Sequence, residues 1–224
     1  HGALGAEAYR DMGYLPEAMR NYLARLGWSH GDDEIFSTEQ AIEWFGLEQI
    51  GKSPARFDFA KLANLNGTYV READDARLAD ETLRMMTTVK GWTVSDATRE
   101  ALVQAMPGLK ERAKTLDDLA EGARFLIEQR PLSINEKAAK LLDETARGIL
   151  TGIVPALEGM PAWTMDSIET TIRDFAETQD VKLGKVAQPL RAALTGTTTS
   201  PGIFDVLAVL GKDESLARIK DQAA

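Results

Sequence analysis

Residues 181–204 read VKLGKVAQPLRAALTGTTTSPGIF, and their grammar decides the fold class. The run predicts a helix over residues 184–194, a polar turn rich in Gly and Thr, and a new helix opened by Ser200-Pro201-Gly202. Lys182, Lys185 and Arg191 fall in this stretch with no acid among them, although the whole chain carries a formal charge of -9. A locally cationic helix end beside exposed backbone N–H groups is a docking place for a polyanion. The segment therefore points toward a nucleic acid.

The same helix grammar extends outward in both directions. Pro16-Glu17 opens a helix with Leu15, Met19, Tyr22, Leu23 and Leu26 at helical spacing, stopped by Gly27. Ser37-Thr-Glu-Gln40 is a capping box, with Gly46 ending its short helix. A helix is expected from Asp58, broken near Asn66-Gly67, and another over residues 75–86. Ser95-Asp96 caps a helix running to Pro107-Gly108, and Thr115 begins one with Leu116, Leu119, Ala123 and Leu126 on its buried stripe. Arg130-Pro131 is a break, because a residue before Pro disfavours the helical region. Ser133-Ile-Asn-Glu136 reads as a second capping box, opening a long helix to about residue 150. Helices over 165–178 and 201–210 and a short one from Asp213 complete the chain. Alternating β-branched patterns are nearly absent, so the class is mainly α. Residues 1–14 and 31–36 leave room for short strands.

Composition narrows the chemistry. The 224 residues contain no Cys and two His, which removes disulfides, thiolate metal sites and Cys nucleophiles and leaves little for a His-based triad. No apolar run reaches the ~18 residues that span a bilayer, and no signal-peptide layout is seen. A cytoplasmic protein with no membrane partner is expected. Asp and Glu outnumber Lys and Arg by 35 to 26, which argues against blanket duplex binding and leaves local recognition of single-stranded RNA open. There is no phosphate-binding Gly loop, no His pair at metal spacing and no nucleophile elbow. Asp32-Asp33, Asp74-Asp75 and Asp117-Asp118 sit where helix capping explains them. No catalytic residue and no metal ligand is assigned.

Longer motifs are more specific. Residues 9–18 (YRDMGYLPEA) and 21–30 (NYLARLGWSH), with His1-Gly2-Ala3 before them, resemble the run that follows the second signature loop of bacterial glutamyl-tRNA synthetases. Residues 57–62 (FDFAKL) with Leu65-Asn66 resemble that family's next block. Residues 189–196 (PLRAALTG) and 200–204 (SPGIF), then Leu210-Gly-Lys212, resemble its C-terminal end. The resemblance covers nearly the whole chain in the family's order.

It implies a piece of a longer enzyme. In the family, a Rossmann domain upstream handles ATP, Mg²⁺ and glutamate. The present chain resembles a stem-contact domain (1–75) and two helical anticodon-binding subdomains (76–129 and 130–224). On this reading the fold is a set of helical bundles preceded by a small, mostly helical domain. The full enzyme would join glutamate to tRNA(Glu), with tRNA(Gln) a second candidate, and this piece would be a non-catalytic monomer with no cofactor of its own.

By the same resemblance Arg112, in residues 109–116 (LKERAKTL), reads the third anticodon base. Arg191, Ser200, Pro201 and Ile203 match positions that contact the first two, although the family commonly has Thr and Leu where this chain has Ser200 and Ile203. Chemistry agrees: Arg offers a planar donor fork for base edges, Ser200 a hydroxyl, and Pro201 and Ile203 apolar surfaces for unstacked bases. Lys61, Lys182 and Lys185 are expected on the tRNA backbone, and Asn66 near the tRNA elbow.

Plainer readings stand beside these. On pattern alone Arg112 is a solvated helix residue, Arg191 neutralises a helix C-terminus, and Ser200-Pro201 starts a helix without a ligand. Trp28, Trp44, Trp92 and Trp163 are expected to pack, and His30 to be structural. The alternative function is a helical protein-interaction module that keeps the fold without reading an anticodon. A truncated relative that glutamylates a modified tRNA base resembles the catalytic half alone and is disfavoured.

Overall fold

The computed structural model describes residues 4–51 and 56–223; the opening His1-Gly2-Ala3 motif lies outside them. The described residues form thirteen α-helices and no strand, with one isolated antiparallel bridge between Trp28 and Ile50. In chain order they are α1 (Ala6–Asp11), α2 (Pro16–Arg25), α3 (Thr38–Trp44), α4 (Phe59–Glu72), α5 (Asp75–Arg84), α6 (Thr98–Lys110), α7 (Leu116–Gly122), α8 (Glu136–Ala139), α9 (Glu144–Glu158), α10 (Met165–Thr178), α11 (Leu183–Thr195), α12 (Ile203–Leu210) and α13 (Lys212–Ala223). They group into two compact units: residues up to 92 with 110–120, and residues 93–109 with 121 onward.

The first unit centres on α2 against α4. Tyr22, Leu62 and Leu65 are buried together, and Tyr9, Tyr14, Phe57 and Tyr69 pack around them. Phe57 meets Tyr22 edge-on at 4.9 Å between ring centroids, the geometry that ring quadrupoles favour. Asn21 is buried, and both ends of its amide are engaged. Its Nδ2 donates to the Glu34 carbonyl, while its Oδ1 accepts from the Phe36 N–H and the Tyr69 hydroxyl. The capping box at Ser37 forms as the sequence predicts, with Gln40 N–H donating to Ser37 Oγ and Ser37 N–H to Gln40 Oε1.

The second unit is built on α9, which packs on α13 and α11 while α10 packs on α12. Leu150, Ile153 and Leu157 of α9 share one core with Ile172 of α10, Val186 and Leu190 of α11, Leu207 of α12 and Ile219 of α13. Each such side chain contributes about 1.5–3 kcal/mol on burial, so this core carries the unit.

Several sequence expectations need correction. The helix from Asp58 is not broken at Asn66-Gly67: α4 runs on to Glu72, with Asp58 as its N-cap. Gly67 serves close approach instead, since a Cβ there would lie 3.4 Å from the Lys114 Cα. Likewise α6 passes through Pro107-Gly108 and ends at Lys110. Residues 133–150 do not form one helix. Asn135, rather than Ser133, caps the short α8, and Asp143 opens a fresh helix by accepting from the Ala146 N–H. Residues 4–14 and 31–36 carry no strand.

Candidate nucleic-acid interface

In the second unit, the turn between α11 and α12 brings four expected residues together. Gly196 ends α11 in the left-handed conformation (φ 69°), and its carbonyl accepts from the Asn135 N–H. A Cβ on Gly196 would collide with the Ser133 carbonyl oxygen, so this reversal requires glycine. After the turn, Arg191 Nε donates to Ser200 Oγ at 2.9 Å, and Ser200 Oγ donates to the Pro201 carbonyl at 2.8 Å. Ser200, Pro201 and Ile203 are all buried. Pro201 packs against α6: a Cβ on Gly108 would lie 3.3 Å from the Pro201 Cβ and 3.5 Å from Asp205 Oδ2. Gly108 and Asp205 therefore belong to this corner too. In sequence, Gly108 reads only as part of a helix end.

This arrangement changes how the corner works. The Ser200 hydroxyl and the Pro201 face point into the fold and shape the turn. Arg191 is half-buried and is the cation of the group. Nor does Arg191 neutralise the end of α11, whose last turn holds no basic residue. α12 starts at Ile203, with Gly202 at its N-cap and Asp205 in its first turn, where an acid complements the helix dipole.

The two lysines do not share that corner. Lys182 is the N-cap residue of α11 and Lys185 lies in its first turn; both are exposed and make no side-chain hydrogen bond or ion pair among the described residues. Nine residues along a helix span about 14 Å, so Lys182 and Arg191 stand at different ends of α11. Cations at a helix N-terminus add to the positive dipole end, a net cost within the folded chain that an arriving phosphate relieves. The acid-free stretch thus folds into two separate cationic features.

Arg112 belongs to the first unit. It is exposed, in the turn after α6, and its side chain makes no hydrogen bond or ion pair among the described residues. Its flanks are fixed. Lys110 Nζ donates to the Ala73 carbonyl at 3.2 Å and pairs with Asp75 Oδ1 at 2.6 Å. Lys114 Nζ donates to Asn64 Oδ1 at 2.8 Å, and its carbonyl accepts from Asn66 Nδ2. Asn66 is itself completely buried, and its Oδ1 accepts from the Leu15 N–H at 2.8 Å. The amide expected near an RNA elbow is therefore engaged inside the fold. Lys61, in the first turn of α4, is exposed.

The tryptophans pack as expected. Trp28 is buried and donates to Gln49 Oε1, Trp163 donates to the Leu207 carbonyl, and Lys90 lies over the Trp92 ring at 5.0 Å. His30 stacks on Trp44 at 4.2 Å and bonds Asp33. Among the described residues no group of three or more His, Cys, Asp or Glu could hold a metal, and no helix is long and apolar enough to cross a membrane.

The anticodon binding domain family matches residues 76–223, and the catalytic domain family of class I tRNA synthetases for E and Q matches residues 3–64. Glutamate–tRNA ligase 2 of Parvibaculum lavamentivorans is 67% identical over the entire chain, which covers 46% of that protein. The ligase of the same name from Brucella ovis is 57% identical, with 99% of this chain and 48% of the relative aligned. The crystal structure of a glutamate tRNA ligase from Elizabethkingia meningosepticum in complex with its amino acid superposes with a TM-score of 0.82 at 30% identity. That match covers 96% of this chain and 42% of the other. The chain thus spans about half the length of the curated relatives it matches.

Proposed function

The chain belongs to the anticodon binding domain family, and from that premise we propose that it is the tRNA-binding, anticodon-recognising part of a glutamate–tRNA ligase. The observation that carries the reading is the family match over residues 76–223, joined to whole-chain similarity with glutamate–tRNA ligases. The enzyme as a whole would attach glutamate to tRNA(Glu) using ATP, with Mg²⁺ as the accompanying ion. The role of this piece is toward the tRNA. We divide that role among a stem-contact region (1–75) and two anticodon-binding regions (76–129 and 130–224), acting as a monomer in the cytoplasm.

Arg112 is the reader of the third anticodon base: an exposed guanidinium offers parallel donors to a base edge, on a turn whose backbone path is already set. Arg191 contacts the first two bases. Ser200, Pro201 and Ile203 form the floor under it, since their buried side chains hold the turn that aims Arg191. Lys182, Lys185 and Lys61 meet phosphates, positioning the RNA without reading it.

Binding of labelled tRNA(Glu) to Arg191→Ala and to Ser200→Ala tests this division. Arg191→Ala should weaken binding by roughly five- to 150-fold and relax preference at the first two bases, as for loss of a base contact worth ~1–3 kcal/mol. Ser200→Ala should weaken it less, by freeing the Arg191 fork. Unchanged binding by Arg191→Ala contradicts the assignment and favours a protein-docking module. Glutamylation of tRNA by the purified 224 residues would overturn the non-catalytic role.

A further inference from the structure

We propose that Asn66 is a positioning residue for anticodon reading: with Asp75 it holds the turn that carries Arg112. The inference rests on the reading of Arg112 as the contact to the third anticodon base. All the residues concerned lie in the first compact unit.

The geometry is that of a mount with two posts. Arg112 and its neighbours Glu111 and Ala113 lie between Lys110 and Lys114. At the first post, Lys110 Nζ is shared between the Ala73 carbonyl and Asp75 Oδ1. At the second, Asn66 Nδ2 holds the Lys114 carbonyl while Asn66 Oδ1 holds the Leu15 N–H. The carboxylate of Asp118 secures the same place by accepting from the N–H groups of Lys114 and Thr115. Next to it, Leu116 N–H donates to the Gly13 carbonyl at 2.9 Å, and Gly13 has φ 85° with no room for a Cβ against the Leu116 and Asp117 backbone.

Asn66 has no contact with solvent, so it cannot touch RNA in this fold. A buried amide with both ends bonded specifies one arrangement, because each alternative leaves a polar group unpaired. What it specifies is the path of residues 111–114 relative to α2 and α4. An arginine on a loose turn must be ordered on binding, and that ordering subtracts from any difference between right and wrong bases. Asn66 and Asp75 supply the ordering in advance, so their removal should erode base discrimination while phosphate-driven affinity persists.

The test uses the whole chain, with tRNA(Glu) and the same tRNA changed at its third anticodon base. Asn66→Asp keeps an acceptor for Leu15 and loses the donor to Lys114; Asp75→Ala removes the partly exposed first post and guards against a misfolded Asn66 variant. Two readouts are taken: the ratio of the two dissociation constants, and hydrogen exchange in the free chain of the bonded amides of Lys114, Thr115 and Leu116.

We expect faster exchange in both variants and a preference reduced at least threefold. We also expect no further loss when either change is combined with Arg112→Ala, as for residues acting as one unit. A folded variant with native exchange and native preference overturns the proposal. A native chain whose preference is absent or indifferent to Arg112→Ala refutes the base-reading role of Arg112. The exchange readout then still decides, by its change or constancy, whether Asn66 and Asp75 hold the turn.

Discussion

Arg218 is almost completely buried, yet every nitrogen of its guanidinium has a partner. Nε donates to Glu214, Nη1 to the carbonyls of Phe125 and Leu194, and Nη2 to that of Glu128. Leu194 lies in the last turn of α11, so this one side chain of α13 caps a helix end and pins residues 125–128. Arg218→Met should cost about 3 kcal/mol in urea unfolding, because several buried carbonyls lose charge-assisted partners together. In sequence, Glu214 and Arg218 are an ordinary pair four residues apart; nothing local says that the arginine is buried. Asn66 hid in the same way, as its partners Leu15 and Lys114 are distant along the chain. The role proposed for Arg112 rests on family likeness, since an exposed arginine has no physical signature of its own. A titrating pair offers another residue-level test. Burial pushes the Glu17 carboxyl up, but hydrogen bonds and charge from Arg77 outweigh this and hold it below the ordinary 4.5. The stabilisation is therefore complete above pH 4.5 and is lost as pH falls through the lowered value. Arg77→Ala should destabilise the chain by up to about 1 kcal/mol at about pH 7, the range of partly exposed pairs, and by progressively less as the pH falls below 4.5. Thermal melts at the two pH values check this.

Among the elements, those with local signals were legible and those set by distant packing were not. α10 runs over the expected residues, and the Ser37 box forms, because caps and apolar stripes are written within a few positions. The split of residues 133–150 into α8 and α9 escaped because Ser133-x-x-Glu136 imitates a capping box. In the fold, Ser133 is instead taken up against Gly196, and the true caps are Asn135 and Asp143. Asp143→Ala should lower stability by about 1 kcal/mol as α9 loses its cap. α4 and α6 run through glycines expected to break them, since packing against neighbours overrides a weak local propensity. At Gly196 the reverse holds, and glycine is compulsory. Gly196→Ala should cost at least about 1–2 kcal/mol from its left-handed backbone, with more from the collision at Ser133, measured by denaturant midpoint. Arg191, Ser200 and Pro201 meet at the turn after α11, but the hydroxyl and proline face point inward. Side-chain direction after a turn is a tertiary outcome that a motif does not carry.

At the scale of the whole molecule, the proposed function requires a chain of charge -9 to take up RNA by placement of its cations rather than by bulk attraction. Its candidate cations are distributed: Lys182 and Lys185 at one end of α11, Arg191 toward the other, and Arg112 in the other compact unit. Each phosphate contact contributes roughly 0.7–0.9 to the slope of log affinity against log salt. Lys182→Ala with Lys185→Ala should reduce that slope by about one to two while leaving base preference intact. The most direct measurement is a titration of the chain with tRNA(Glu) and with the same tRNA altered at its third anticodon base, at about 50 and about 200 mM salt. Tighter binding of the unaltered tRNA is expected at both salts, with loss of that preference in Arg112→Ala. Equal, weak binding of the two tRNAs that collapses together with salt would contradict it, for the contact would then reach no deeper than phosphate.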